Sequence, residues 1–479
     1  MKLNRQNTQT PKPPRVRVLQ FGGGNFIRAF ADWMIDIMNE RLDYGAGVLV
    51  VKPTTEGSYE VLEQQDGLFY VWLRGIQQGQ ELDEQRLISC VSDYVHPYRD
   101  FEAFLESATW PDIQLIISNT TEAGIEFREQ ERFEDRPAES FPGKLTQWLY
   151  RRYQHFEGDP KRGCVLLPCE LIEDNGDQLK EFVSRHAQRW KLDPGFTDWL
   201  DRHNQFCNTL VDRIVPGFPE EEAAEVGHTA AYQDALLVTA EPYHLWAVED
   251  NPAVRKHFPA DRAGLNVQFV KNIQSIRTLK LRLLNGAHTA MVPLGLLAGL
   301  GSVREAIEDE DMGSFIQTML QEEVIPTLPH PEKSAKAYAD TVIERFRNPF
   351  IRHRLADIAL NSTSKFTSRL LPSLQSYFEQ QGRPPERISL ALAALIRFYR
   401  GDGPGGALPL KDNETAIEHL QSAWKQDTLA EVSRQALSLW PVSSQLFPIL
   451  QSQVAACLYL LEKEPVQQLL RKKNFLFKN

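Results

Sequence analysis

Lys280, Asn285 and His288 stand in one short run, Lys280-Leu-Arg-Leu-Leu-Asn285-Gly-Ala-His288, which supplies a base, a carbonyl-binding amide and an imidazole. On a regular helix of about 100° per residue, Asn285 falls about 140° and His288 about 80° around from Lys280, so the three share one sector. Leu281, Leu283, Leu284, Met291 and Val292 give the run an apolar setting. Desolvation of that kind makes a lysine a usable proton carrier near neutral pH, and such a base suits interconversion of an alcohol and a ketone. The plainer reading, an ordinary helix with three polar residues, is not removed by this segment alone.

The N-terminus supplies the element that would hold a redox partner. Arg15-Val-Arg-Val-Leu-Gln-Phe21 reads as a β-strand, Gly22-Gly23-Gly24 as a turn, and Phe26, Phe30, Trp33, Met34 and Ile37 follow at helical spacing. Strand, glycine turn and amphipathic helix open a dinucleotide-binding unit, in which backbone N–H groups and a helix N-terminus receive a pyrophosphate. Gly22 and Gly24 match the first two glycines of G-x-G-x-x-G, whereas Ile27 takes the third place and implies looser packing of helix on strand. Arg28 adds a cation near the phosphates. The candidate cofactor-binding segment is therefore Val18, Leu19, Gln20, Phe21, Gly22, Gly23, Gly24, Asn25, Phe26, Ile27, Arg28 and Ala29.

Together these segments resemble the polyol-specific long-chain dehydrogenase/reductase family, which includes mannitol dehydrogenases, fructuronate reductases and tagaturonate reductases. Its Lys-x4-Asn-x2-His signature is matched by Lys280, Asn285 and His288, and its glycine-rich opening by Gly22 to Ala29. Further blocks follow in order: Ser118-Asn-Thr-Thr-Glu122-Ala-Gly, Pro168-Cys-Glu-Leu-Ile-Glu-Asp-Asn175-Gly176, Asn208 to Pro216, Glu241 to Asp250, and Arg345-Phe-Arg-Asn348-Pro349. Within the family the wording is nearest the members that reduce tagaturonate. The resemblance implies NAD-dependent interconversion of D-altronate and D-tagaturonate in hexuronate breakdown, without a metal. Fructuronate reduction or a mannitol-type polyol oxidation is the alternative, and a nucleotide-binding sensor without turnover is a third. Mannitol dehydrogenases tend to read Ser-Cys-Asp-Asn where this chain has Pro168-Cys169-Glu170-Leu171, which argues against mannitol.

Hydride transfer assigns the roles. Lys280 as ammonium donates the proton in reduction and, neutral, accepts it in oxidation. Asn285 hydrogen-bonds the carbonyl oxygen as charge develops there. His288 orients Lys280 or a substrate hydroxyl, or is an ordinary helix histidine. Asn119 and Glu122 either touch the nicotinamide ribose at the end of a strand or belong to a helix start capped by Thr120 or Thr121. Asp212-Arg213 reads as an ion pair near the cleft, and Glu241 to Trp246 as packing at the domain junction. Arg345, Asn348 and Lys365 are candidates for the substrate carboxylate and hydroxyls, because a hexuronate needs a cationic partner and the first two lie in a family block, and Asp212 is a further substrate candidate. At the end of the second strand an NAD fold usually carries an acid, yet Val48-Leu-Val-Val51 runs into Lys52-Pro-Thr-Thr-Glu56. Lys52 suits a 2′-phosphate; Glu56 or the threonines suit the ribose of NAD, the cofactor that the resemblance implies.

Composition bounds the remainder. A net charge of −11 disfavours nucleic acid or an anionic membrane as partner. Five cysteines without a C-x-x-C pair read as reduced core thiols, and the absence of H-E-x-x-H or a Cys/His cluster assigns no metal. A polar start and no apolar run of about eighteen residues point to a cytoplasmic protein acting on a small molecule; oligomeric state is left open. Strand candidates Val48–Val51, Ile113–Ile117, Val165–Leu167, Leu236–Thr239 and Val267–Val270 alternate with helices, which predicts a parallel sheet. After residue 276 the pattern is helical, including Ile388–Tyr399 and Gln453–Glu462, with Gly401 to Gly406 as an exposed loop or a lid. The fold class is thus α/β: a Rossmann-type domain over 14–270 followed by a mainly α-helical domain over 271–479.

Overall fold

Alternating apolar side chains in four short runs bury both faces of a parallel sheet. In the computed structural model, which describes residues 1–56, 59–120, 124–219 and 232–472, Arg15–Phe21 forms β1, Ala46–Val51 β2, Phe69–Gln77 β3, Gln80–Ile88 β4 and Val91–Val95 β5. Leu115–Ser118 forms β6, Val165–Pro168 β7, Gln205–Phe206 β8, Thr209–Asp212 β9, Val238–Ala240 β10, Leu245–Glu249 β11 and Val267–Val270 β12. Six strands make one all-parallel sheet in the order β5-β2-β1-β6-β7-β8. The order runs outward in both directions from β1, as in a doubly wound dinucleotide-binding domain. Val18, Val48, Val50, Ile117 and Leu167 enter one core with the helix over 25–42 (α1). Their neighbours Leu19, Leu49, Val51, Ile116 and Leu166 enter the other with α2 (Phe141–His155) and α3 (Asn175–Arg189). Burial on both faces is why these strands read as unbroken apolar runs.

The chain divides into two compact units: Met1–Arg74 with Glu81–Ile273, and Gly75–Gln80 with Gln274–Asn479. The first also holds small sheets ordered β10-β3-β4 and β12-β11-β9. The β3–β4 hairpin escapes the sequence pattern because β4, Gln-Glu-Leu-Asp-Glu-Gln-Arg-Leu-Ile, is mostly exposed and polar, as suits an edge strand. Its two-residue turn has positive φ at both Gln78 (54°) and Gly79 (76°), the primed-turn geometry of tight hairpins. That tip belongs to the second unit, where the backbone N–H groups of Gln78 and Gly79 donate to Glu344 at 3.1 and 2.8 Å.

The second unit is helical around one large core. Its first helix, α4 over 273–297, packs on Glu386–Phe398, which in turn packs on Phe447–Lys463. The glycine-rich stretch read as an exposed loop or a lid is a mostly exposed connection between helices, closed by a small hairpin, Asp402–Gly403 with Gly406–Ala407. Asp402 anchors it to Arg397 at 3.0 Å and Arg400 at 2.6 Å. No helix among the described residues is long and apolar enough to cross a membrane.

Candidate functional site

The sheet changes direction of winding between β1 and β6, and the glycine turn sits at that point. Gly22 has φ +110°, open to glycine and strained for other residues. A Cβ there would lie 2.7 Å from the carbonyl oxygen of Asn119, the residue that follows β6. Gly24, by contrast, is exposed, and beyond its own chain neighbours no atom of the described residues lies within 4 Å of where its Cβ would stand. The turn is therefore closed on the protein side and open at the start of α1, where unpaired helix N–H groups suit a pyrophosphate. Gly22→Ala is expected to weaken NADH binding at least about 10-fold by fluorescence titration, since both the strain and the clash displace the turn. Gly24→Ala, with open space around it, is expected to perturb stability far less; a Gly22→Ala protein that binds NADH normally would remove the turn from the site.

Two expectations for this turn are corrected. Arg28 is buried: its guanidinium donates to the carbonyl of Leu236 and to Asn25 Oδ1 (2.7 Å) and lies 5.3 Å over the Phe69 ring. It braces the start of α1 from behind. Ile27 is fully buried in the sheet core, so the packing is closed, and the next residues, Arg28–Asp32, form a π-turn. Within that turn, burial pushes the Asp32 carboxyl up to about 7, opposed by a 3.3 Å hydrogen bond from Gln20.

Lys52 is likewise turned inward. Its ammonium donates to Thr54 Oγ1 (3.3 Å) and to the carbonyl of Glu56 and lies 5.2 Å from the Tyr59 ring centroid. Burial lowers its pKa. Asn119 gives its backbone N–H to Phe21 (2.9 Å), joining the ends of β6 and β1. Glu122 and Thr121 lie outside the described residues. Thr120 spends its hydroxyl on Glu170, a residue that sequence reasoning quoted without singling it out. The Glu170 carboxylate accepts from Ser118 Oγ, Thr120 N and Thr120 Oγ1, each at 2.9 Å, and so ties the end of β7 to the end of β6. Burial raises its pKa against those three bonds. Nothing in the local pattern reveals a partner 50 residues upstream.

In the second unit α4 does not stay regular. Lys280–Leu284 is a π-turn, in which the Asn285 N–H bonds to the Lys280 carbonyl. A π-turn absorbs one extra residue, so beyond it Asn285 lies about 40° and His288 about 20° from Lys280. The three stand in a narrower stripe than regular winding predicts. Lys280 and Asn285 are half-buried. His288 is buried, its ring stacked 4.4 Å from Phe346 and edge-on 5.0 Å from His353, and its Nε2 has no hydrogen-bond partner among the described residues. Burial first, then the charges of His353, Arg369, Arg345 and Lys365, hold it well below the usual imidazole range, so it is a neutral ring.

The substrate candidates separate. Arg345, at the end of the helix Glu332–Phe346 (α5), and Asn348 are both buried. Asn348 Oδ1 accepts from Phe350 N at 2.9 Å. Lys365, on Ser362–Arg369 (α6), gives its ammonium to the Ile358 carbonyl at 2.8 Å. Arg345 and Lys365 are brought into the surroundings of His288. Asp212 is buried at the end of β9 in the first unit, opposite Leu245. Of the pair Asp212-Arg213, Arg213 spends its guanidinium elsewhere: it donates to the carbonyls of Glu241 (2.9 Å) and Ala29 (2.7 Å) and lies 4.2 Å over Trp33. Trp246 is fully buried against Phe30 and Phe258, in the core of the first unit.

Two family models match the chain, the mannitol dehydrogenase Rossmann domain over residues 16–262 and the mannitol dehydrogenase C-terminal domain over 272–439. The altronate oxidoreductase of Bacillus subtilis (strain 168) is 42% identical over 468 residues, 97% of this chain and 95% of that protein. That of Yersinia enterocolitica is 43% identical, covering 88% of this chain and 87% of its own length. Among solved structures, substrate-free D-sorbitol dehydrogenase aligns with TM-score 0.81 at 23% identity, over 98% of this chain and 99% of that one. Pseudomonas fluorescens mannitol 2-dehydrogenase, in a ternary complex with NAD and D-mannitol, aligns at 0.68 with the same identity and coverage.

Proposed function

This chain belongs to the mannitol dehydrogenase family, and on that premise we propose that it interconverts D-altronate and D-tagaturonate with NAD. The carrying observation is the 42% identity to an altronate oxidoreductase across 97% of the chain. The glycine turn fits a dinucleotide: it is open at Gly24, closed behind Gly22, and stands at the switch point of the sheet. Bound there, NAD supplies the hydride acceptor and NADH the donor. Lys52 is engaged by its own loop, through Thr54 and the Glu56 carbonyl, which favours the unphosphorylated ribose of NAD.

In reduction, hydride reaches the carbonyl carbon while Lys280 Nζ gives a proton to the oxygen; in oxidation both return. Asn285 donates its amide N–H to that oxygen, which gains charge as the C–H bond forms. His288, neutral, orients a substrate hydroxyl. With a lysine as proton carrier the scheme calls for no metal. A cytoplasmic place in hexuronate breakdown is consistent with this substrate pair.

The test is the loss of NADH absorbance when the purified protein, with a chelator present, meets D-tagaturonate, D-fructuronate and D-fructose in turn. Rapid oxidation with tagaturonate and NADH, and slow oxidation with NADPH, are expected. Preference for fructuronate or fructose would transfer the chain to a sibling activity, and NADH binding without turnover would make it a nucleotide sensor.

A further inference from the structure

A half-buried guanidinium without a carboxylate partner among the described residues stands beside Asn285. Arg369 closes α6, and its Nη1 reaches Thr289 Oγ1 at 3.4 Å. That long contact is its one side-chain hydrogen bond among the described residues. Thr289 Oγ1 in turn donates to the Asn285 carbonyl at 2.9 Å, which fixes the guanidinium within one helical turn of the proposed carbonyl-binding amide. Gly286 permits the approach: a Cβ there would meet Leu370 Cδ2 at 3.2 Å and the Arg369 carbonyl at 3.7 Å.

A guanidinium has five donors, and a desolvated one with most of them unspent is costly until an anion pairs with it. Burial lowers the Arg369 pKa and no acid acts the other way. The other cations nearby are engaged: Lys365 holds the Ile358 carbonyl, with Asp412 close enough to act on it. Arg345 makes interactions of its own in the buried end of α5. Arg282 also lacks an acid, but it lies two residues past Lys280, on the far side of α4, where it reaches Ser373 Oγ at 3.4 Å.

We propose that Arg369 receives the carboxylate of the sugar acid, with Thr289 positioning the guanidinium, and so selects keto acids over neutral ketoses. The planar fork matches a carboxylate in two parallel bonds. This rests on the keturonate reading above.

Steady-state kinetics with D-tagaturonate test it on the full-length protein. Arg369→Gln is expected to raise KM about 100-fold, the scale of truncating one partner of a buried charge pair, with a smaller fall in kcat and unchanged NADH affinity. Arg369→Lys should fall between, and Thr289→Val should raise KM several-fold in the same sense. Arg282→Gln should leave KM alone. An unchanged KM in Arg369→Gln, or kcat and NADH affinity falling together without a KM change, overturns the proposal. If Arg369→Gln does not fold, Arg369→Lys and Thr289→Val decide by the same KM criterion. A wild-type protein inactive on every keturonate would refute the functional reading itself, a separate result.

Discussion

Lys280→Ala is expected to lower kcat for tagaturonate reduction by about 10²–10⁴-fold, the usual worth of a positioned general acid. NADH affinity should stay nearly unchanged, because the glycine turn shares no residue with α4. The alkoxide formed by hydride addition must take a proton at once, and water at the same point is a poorer and less oriented donor. Small primary amines added to the alanine variant should recover part of the rate, more so as their size matches the missing stem. A variant with wild-type kcat would remove the lysine from the proton path. A variant that has also lost NADH binding would show a folding defect in place of a chemical one, so the binding titration belongs in the same experiment.

How far the residues announced this arrangement depends on the range over which each signal acts. β1 was readable to its ends, Arg15 and Phe21, because alternation and the glycine that follows are local. The parallel sheet and the helical second domain followed from the same periodicities, and the family models give the same fold class, a Rossmann domain followed by a C-terminal domain. The stripe of Lys280, Asn285 and His288 was legible in composition but not in angle, since a π-turn is a backbone choice that regular winding does not foresee. Arg28 and Lys52 looked like phosphate cations from their positions. Their actual partners, Leu236 and the 54–56 loop, are satisfied carbonyls and a hydroxyl that no motif encodes. Glu170 and Arg369 were missed for one reason: each works through contacts 50 and 80 residues away. Long-range pairing of that kind is a property of the folded chain.

Asn285→Ala should separate the second half of the mechanism from the first. The amide is asked to stabilise charge that exists only as the carbonyl becomes an alkoxide, so its removal should act on kcat more than on KM. A loss of about 10²–10³ in kcat, or about 3–4 kcal/mol, is the scale of one such donor. The Asn285 side chain is half-buried, and Thr289 bonds only its backbone carbonyl. Truncation therefore leaves the helix and the Thr289 contact in place, and stability should change little. Asn285→Asp should be worse than alanine at neutral pH, because a carboxylate would face the developing negative oxygen. The shape of the pH–rate curve distinguishes the roles: Asn285→Ala should keep the wild-type profile at a lower height, whereas Lys280→Ala, which removes the proton carrier, should change its shape. If both variants keep the profile, the proton carrier is another group; if Asn285→Ala alone flattens it, the amide's task is to hold Lys280 in place, and the stripe on α4 must be read as a positioned base without an oxyanion donor.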